Sequence, residues 1–195
     1  MPVIEEQPKL AKSSAKTILG KAIALTFFIF GGLCLFVYFD SVGCSMYYSG
    51  HPEKALEPTK RALWVQETVL GHDNLEVANT KKNLARVYDA LKRFDDAEPL
   101  YVSSMKIYKD KDQLKSHAYA ETLCFYGDHQ MLMQKYNDSL GNYKEARLIL
   151  ADLRLQETRE YAWTLQRVAN ALKALNRRDE AQPIDAEASK ILQKV

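Results

Sequence analysis

His117, Cys124 and His129 are the side chains whose types most readily do chemistry, because imidazole and thiolate groups bind metals and act as bases or nucleophiles. Their spacings are seven and five residues. Ligands on one helix face sit three or four residues apart, so these three do not converge on one ion. Metal binding is therefore not expected, and Cys124 reads as a small packing residue. The sequence holds no glycine-rich phosphate loop, no His-Glu-x-x-His, no Cys-x-x-Cys and no Gly-x-Ser-x-Gly. No residue receives a catalytic role, no cofactor is implied, and the chain is not expected to be an enzyme.

Charge narrows the partners. Across 195 residues, 27 basic and 25 acidic side chains leave a net charge of +2. Lys81-Lys82 is a pair and Arg177-Arg178 a turn, and neither makes the basic stripe that a nucleic acid needs. No nucleic-acid partner is expected. Three cysteines, Cys34, Cys44 and Cys124, are too few and odd in number for a disulfide framework.

The elements that would position any site begin with an apolar run. Ala22 to Phe39 contains no charged residue, and as a helix it would extend ~27 Å, close to a bilayer's hydrocarbon thickness. A transmembrane helix over 18–40 is the expectation. Lys9, Lys12, Lys16 and Lys21 precede it and Lys54 is the first cation after it. The positive-inside bias then predicts a single-pass protein, its N-terminus cytoplasmic and its C-terminal domain outside a bacterial inner membrane. Residues 1–17 read as a flexible cytoplasmic tail. Ser41-Val42-Gly43-Cys44 is a weak match to a lipidation motif at Cys44, with Ser41 poor for the apolar slot.

From residue 41 onward the sequence repeats every 42 residues. Ala55, Ala97, Ser139 and Ala181 form one small-residue column, and Ala62, Ser104, Ala146 and Ala188 another. Val65, Ile107, Ile149 and Ile191 are β-branched throughout, and Gly43, Ala85, Gly127 and Ala169 are again small. Inside each unit apolar residues recur at helical spacing, as in Ala97, Leu100, Tyr101, Ser104, Ile107 and Tyr108. Polar turns at Lys92-Arg93, Gln134-Lys135 and Asn176-Arg177 predict helical hairpins. The small columns are expected where two helices cross closely. Pro99 and Pro183 are expected near the first turn of their helices, and Pro58 deeper.

Gly71-His72-Asp73-Asn74, Asn83-Leu84-Ala85-Arg86-Val87-Tyr88 and Asp96-Ala97-Glu98-Pro99-Leu100-Tyr101 together resemble a tetratricopeptide repeat. The length is similar to the 42-residue variant of kinesin light chains. Ala97, Tyr101 and Ser104 fit the small–aromatic–small pattern of the second helix, as do Ser139, Tyr143 and Ala146. Asp185 and Lys81 depart from it. The resemblance implies an all-α helical-hairpin solenoid over 41–195, with units at about 41–70, 73–110, 113–153 and 156–195. Register also places Phe39, Val42, Gly43 and Met46 on the first helix of an early repeat.

By that resemblance, first helices line a concave groove, here through Asn79, Lys82, Asn83, Arg86 and Asp89, then Glu121, Cys124, Phe125 and Asp128. Trp163, Gln166, Arg167, Asn170 and Lys173 continue it. Lys82, Asn83 and Arg86 are expected to grip a carboxylate or a peptide backbone, with Phe125 and Trp163 as aromatic anchors. The function implied is a membrane-anchored adaptor or assembly factor for a protein or peptide partner. The alternative is a structural subunit of a larger membrane complex that uses the solenoid's edges. The last helix lacks a further cap, so its flank offers a surface for self-association.

Overall fold

The computed structural model describes residues 31, 32 and 34–195, and within them every regular element is a helix. Helix α1 runs through 34–48, with 31 and 32 also helical. It is followed by α2 (Pro52–Leu70), α3 (Leu75–Ala90), α4 (Phe94–Asp110), α5 (His117–Leu132), α6 (Tyr136–Asp152), α7 (Arg159–Ala174) and α8 (Arg178–Leu192).

The 42-residue period writes the turns. Asn74, Ser116 and Thr158 stand 42 residues apart, and each accepts a hydrogen bond from a backbone N–H in the first turn of α3, α5 or α7. The chain leaves α1, α3, α5 and α7 through a left-handed residue at Gly50, Lys92, Gln134 and Asn176 respectively. Beyond each, a backbone N–H reaches back to close the helix, as Arg93 N–H does to Tyr88 C=O at 2.9 Å. Only the first of these positions is glycine, so the others carry side chains in a conformation that costs them about 1 kcal/mol.

Both small columns are fully buried: Ala55, Ala97, Ser139 and Ala181, and Ala62, Ser104, Ala146 and Ala188, are all 0% exposed. Ser104 shows what the closeness allows, its hydroxyl donating across the hairpin to Ala78 C=O at 2.7 Å. Gly127 is tighter still, since a Cβ there would stand 2.5 Å from the Tyr143 ring. Pro58, Pro99 and Pro183 lie inside α2, α4 and α8. Pro99 and Pro183 are thus deeper than the first turn, and their helices run through them.

First helices of successive hairpins touch, α3 with α5 and α5 with α7, while no comparable contact joins α4 to α6 or α6 to α8. The row α1, α3, α5, α7 is therefore the crowded inner row of an all-α solenoid, and α2, α4, α6 and α8 form the outer one. At the end of the stack α8 buries only Ala181 and Ala188, leaving Ile184, Ile191 and Leu192 half-buried.

The membrane architecture is corrected. No helix among the described residues is long and apolar enough to cross a membrane, so the single-pass reading and the sidedness built on it are not supported. Residues 18–30 and 33 of the expected span, and the tail at 1–17, lie outside the described residues. The part that is described has a different partner. Gly32 lies against Val69 and Gly43 against Thr59, so α1 packs antiparallel on α2, and Arg61 sits over the Phe39 ring. Asp40, Ser41 and Ser45 also break the apolar run on α1.

Candidate functional site

The inner row is laced by side chains 39 residues apart, one helical turn short of the repeat. Lys82 on α3 donates to Glu121 on α5 at 2.5 Å. Arg167 on α7 grips both carboxylate oxygens of Asp128 on α5, at 2.8 to 3.1 Å. Between them the Arg86 guanidinium lies 3.8 Å from the Phe125 ring centre, with Tyr47 and Tyr48 of α1 at 4.8 and 5.6 Å. Phe125 thus serves three cations, since Lys82 and Arg167 also approach its ring at 5.8 and 5.7 Å.

This lacing changes what the cations can do. The Lys82 side chain is 3% exposed against 37% for Glu121, so the ammonium is a buried structural charge and the carboxylate is its outward face. Arg86 is half-buried and enclosed by rings, and its Nε is buried without a hydrogen-bond partner. Neither side chain is open to grip an incoming carboxylate as the groove register suggested. Asn79, Asn83 and Gln166 are half-buried, Asn170 is exposed, and Trp163 is 51% exposed. These, with the outward edges of Glu121 and Asp128, form the accessible floor.

A lock beside the groove escaped the sequence reading. His129 is fully buried and its Nδ1 bonds Asp89 at 2.7 Å, while the Tyr101 hydroxyl donates to the same carboxylate at 2.9 Å. Tyr126 stacks on the imidazole. Burial raises the Asp89 carboxyl above the ordinary carboxylate range, and its bonds to His129 oppose that rise. The Tyr101 hydroxyl is pushed up by its own burial and by Asp89. The lock ties α3, α4 and α5 together. Asp89 did appear among the groove positions, but it points into this core contact.

The three residues that opened the sequence reading go separate ways. His117 bonds Glu160, His129 bonds Asp89, and the Cys124 thiol lies 3.5 Å from the Thr164 hydroxyl. Among the described residues no group of three His, Cys, Asp or Glu side chains is placed to hold a metal. Burial pushes the Cys124 thiol up to about 11, which leaves it protonated and unreactive near neutrality. A separate apolar recess of about 300 Å³ opens between α1 and α2, lined by Gly31, Gly32, Leu35, Trp64, Val65, Thr68 and Val69.

Stacked helical hairpins of 42 residues with buried small columns define a tetratricopeptide-type solenoid. Residues 45–110 match the tetratricopeptide repeat family model. A segment of 69 residues is 38% identical to nephrocystin-3 of Mus musculus, covering 35% of this chain and 5% of that protein. Among solved structures, BtubC (BKLC) from P. vanneervenii superimposes with a TM-score of 0.73 at 19% identity, over 82% of this chain and 63% of that one. A putative kinesin light chain of Podosopora anserina, with nearly identical tetratricopeptide-like repeats, gives 0.71 at 15% identity over 81% and 74%. The chain carries tetratricopeptide repeats and has kinesin-light-chain-like structural neighbours. It spans only a small part of the curated relative and under two thirds of BtubC.

Proposed function

We propose that this protein is a non-catalytic adaptor that holds a protein or peptide partner against the inner row of α1, α3, α5 and α7. The observation that carries the reading is Trp163, a large aromatic left 51% exposed on α7, in line with Asn79 and Glu121 at the same repeat position. An exposed tryptophan beside amide side chains is the composition of a binding hot spot. The ion pairs and aromatic contacts beneath it hold the surface rigid, so a partner meets a preformed groove.

The test is retention of partners by the full chain carrying Trp163→Ala and Asn170→Ala, both at exposed positions. Partners lost while the helical content persists support the groove. Partners retained by the double variant contradict it. Lys82 and Arg86 are unsuitable test positions, because changing either strips a buried or ring-enclosed charge from the fold itself. A second reading rests on α8, whose half-buried Ile184, Ile191 and Leu192 leave a flank for self-association or for docking as a subunit. Dimerisation that is lost on Ile191→Glu would favour it.

A further inference from the structure

The groove's ion pairs are asymmetric in depth. In Lys82–Glu121 the cation is 3% exposed and the carboxylate 37%, and in Arg167–Asp128 the figures are 28% and 38%. Each pair therefore shows its acid to solvent. Glu160 stands one turn before Trp163 on α7, bonded to His117 of α5. The register of α5 against α7 is fixed by that contact at one end and by Cys124–Thr164 at the other. Glu121 lies between His117 and Cys124, so it faces the stretch of α7 that carries Trp163. The exposed indole is thus flanked by Glu160 on its own helix and Glu121 on the next.

The other end of the row repeats the pattern. Asp40 on α1 and the exposed Glu76 at the start of α3 lie within electrostatic range of one another. The Asp40 carboxyl is raised above its ordinary value, first by burial and then by Glu76, with only Lys82 acting the other way. Aromatic faces attract cations, and adjacent carboxylates reinforce that attraction.

We infer that the groove takes a cationic extended peptide, one Lys or Arg side chain resting on Trp163 between Glu121 and Glu160 and another beside Asp40 and Glu76. The inference rests on the groove reading above and adds the sign of the partner's charge. An acidic peptide would meet the carboxylate edges of the pairs and find their cations buried.

Fluorescence anisotropy of the full chain with three labelled peptides of equal length, repeating Lys-Ser, Gln-Ser and Glu-Ser, tests it. The Lys-Ser probe is expected to bind about tenfold or more tighter than Glu-Ser and to weaken as salt is raised. Trp163→Ala is expected to weaken it by about 3- to 30-fold. Glu160→Gln and Glu76→Gln, both away from the buried pairs, should each weaken it by about threefold. Binding of Gln-Ser or Glu-Ser as tight as Lys-Ser, still lost with Trp163→Ala, overturns the charge inference and leaves the groove reading standing. Lys-Ser binding unmoved by all three variants overturns the inference and counts against the groove as well. No binding of any probe in the millimolar range overturns the charge inference.

Discussion

Gly127→Ala is the substitution whose outcome the packing decides most sharply. Alanine is the better helix former by about 1 kcal/mol, so propensity alone predicts a more stable protein. The structure predicts the reverse. A Cβ at 127 would lie 2.5, 2.8 and 2.9 Å from three atoms of the Tyr143 ring. That ring is 2% exposed, and its hydroxyl donates to Asp128 at 2.7 Å, so it has neither space nor freedom to retreat. Overpacking of this kind costs up to about 3 kcal/mol. Against the propensity gain this leaves a net loss of about 2 kcal/mol, or a fall in Tm of roughly 4–8 °C for a chain of this size. Thermal and urea unfolding followed by circular dichroism measure it. Gly141→Ala on α6 is the internal control, since no atom lies within 4 Å of its Cβ position, and it should stabilise by up to about 1 kcal/mol. If Gly127→Ala matches or exceeds the wild type, the close approach of α5 and α6 is not as described and the packing argument fails.

The remaining predictions concern the turns, the lock, the thiols and the inner-row pairs. Gln134→Gly relieves a left-handed residue at φ 59° and should raise stability by about 1 kcal/mol in urea unfolding; a loss would mean the side chain is needed there. The Asp89 carboxyl titrates higher in the folded protein than unfolded, so the stability it contributes is full below the unfolded value of 3.8 and is lost as pH rises through the folded value. Asp89→Asn should therefore flatten the gain in stability on acidification across that window, and an unchanged pH slope would refute the assignment. Cys124, buried and raised to about 11, should resist alkylation at pH 7.5 until the protein unfolds, while exposed Cys34 is modified first; mass spectrometry of the labelled peptides reads the order. Asp128→Ala leaves the Arg167 guanidinium and the Tyr143 hydroxyl without their shared acceptor and should cost about 1–3 kcal/mol, whereas Trp163→Ala should stay within about 0.5 kcal/mol of wild type.

The solenoid was legible because its determinants are local and periodic. A column such as Ala55, Ala97, Ser139 and Ala181 marks a helix crossing without any knowledge of the tertiary structure. The caps at Asn74, Ser116 and Thr158 were equally open to reading in the same register, and went unread. The membrane expectation came from weighing an apolar run by itself, whereas the described part of that run, through Gly32 and Gly43, fits against α2. Inner-row chemistry was the least legible. Whether Lys82 is a groove cation or a buried one depends on Glu121, 39 residues away, and that offset follows from how successive hairpins stack rather than from the repeat length. The same holds for His129, which looked like an isolated imidazole and meets Asp89 only across two hairpins.

The central claim is that partners meet the inner row. A photo-crosslinking amino acid placed in the full chain at position 163 on α7, and separately at exposed Val102 on the outer helix α4, tests it directly when partner adducts are compared by mass spectrometry. The account predicts one recurrent partner segment, rich in Lys or Arg, captured from position 163 and absent from position 102. Capture of the same partner from position 102 alone would contradict it.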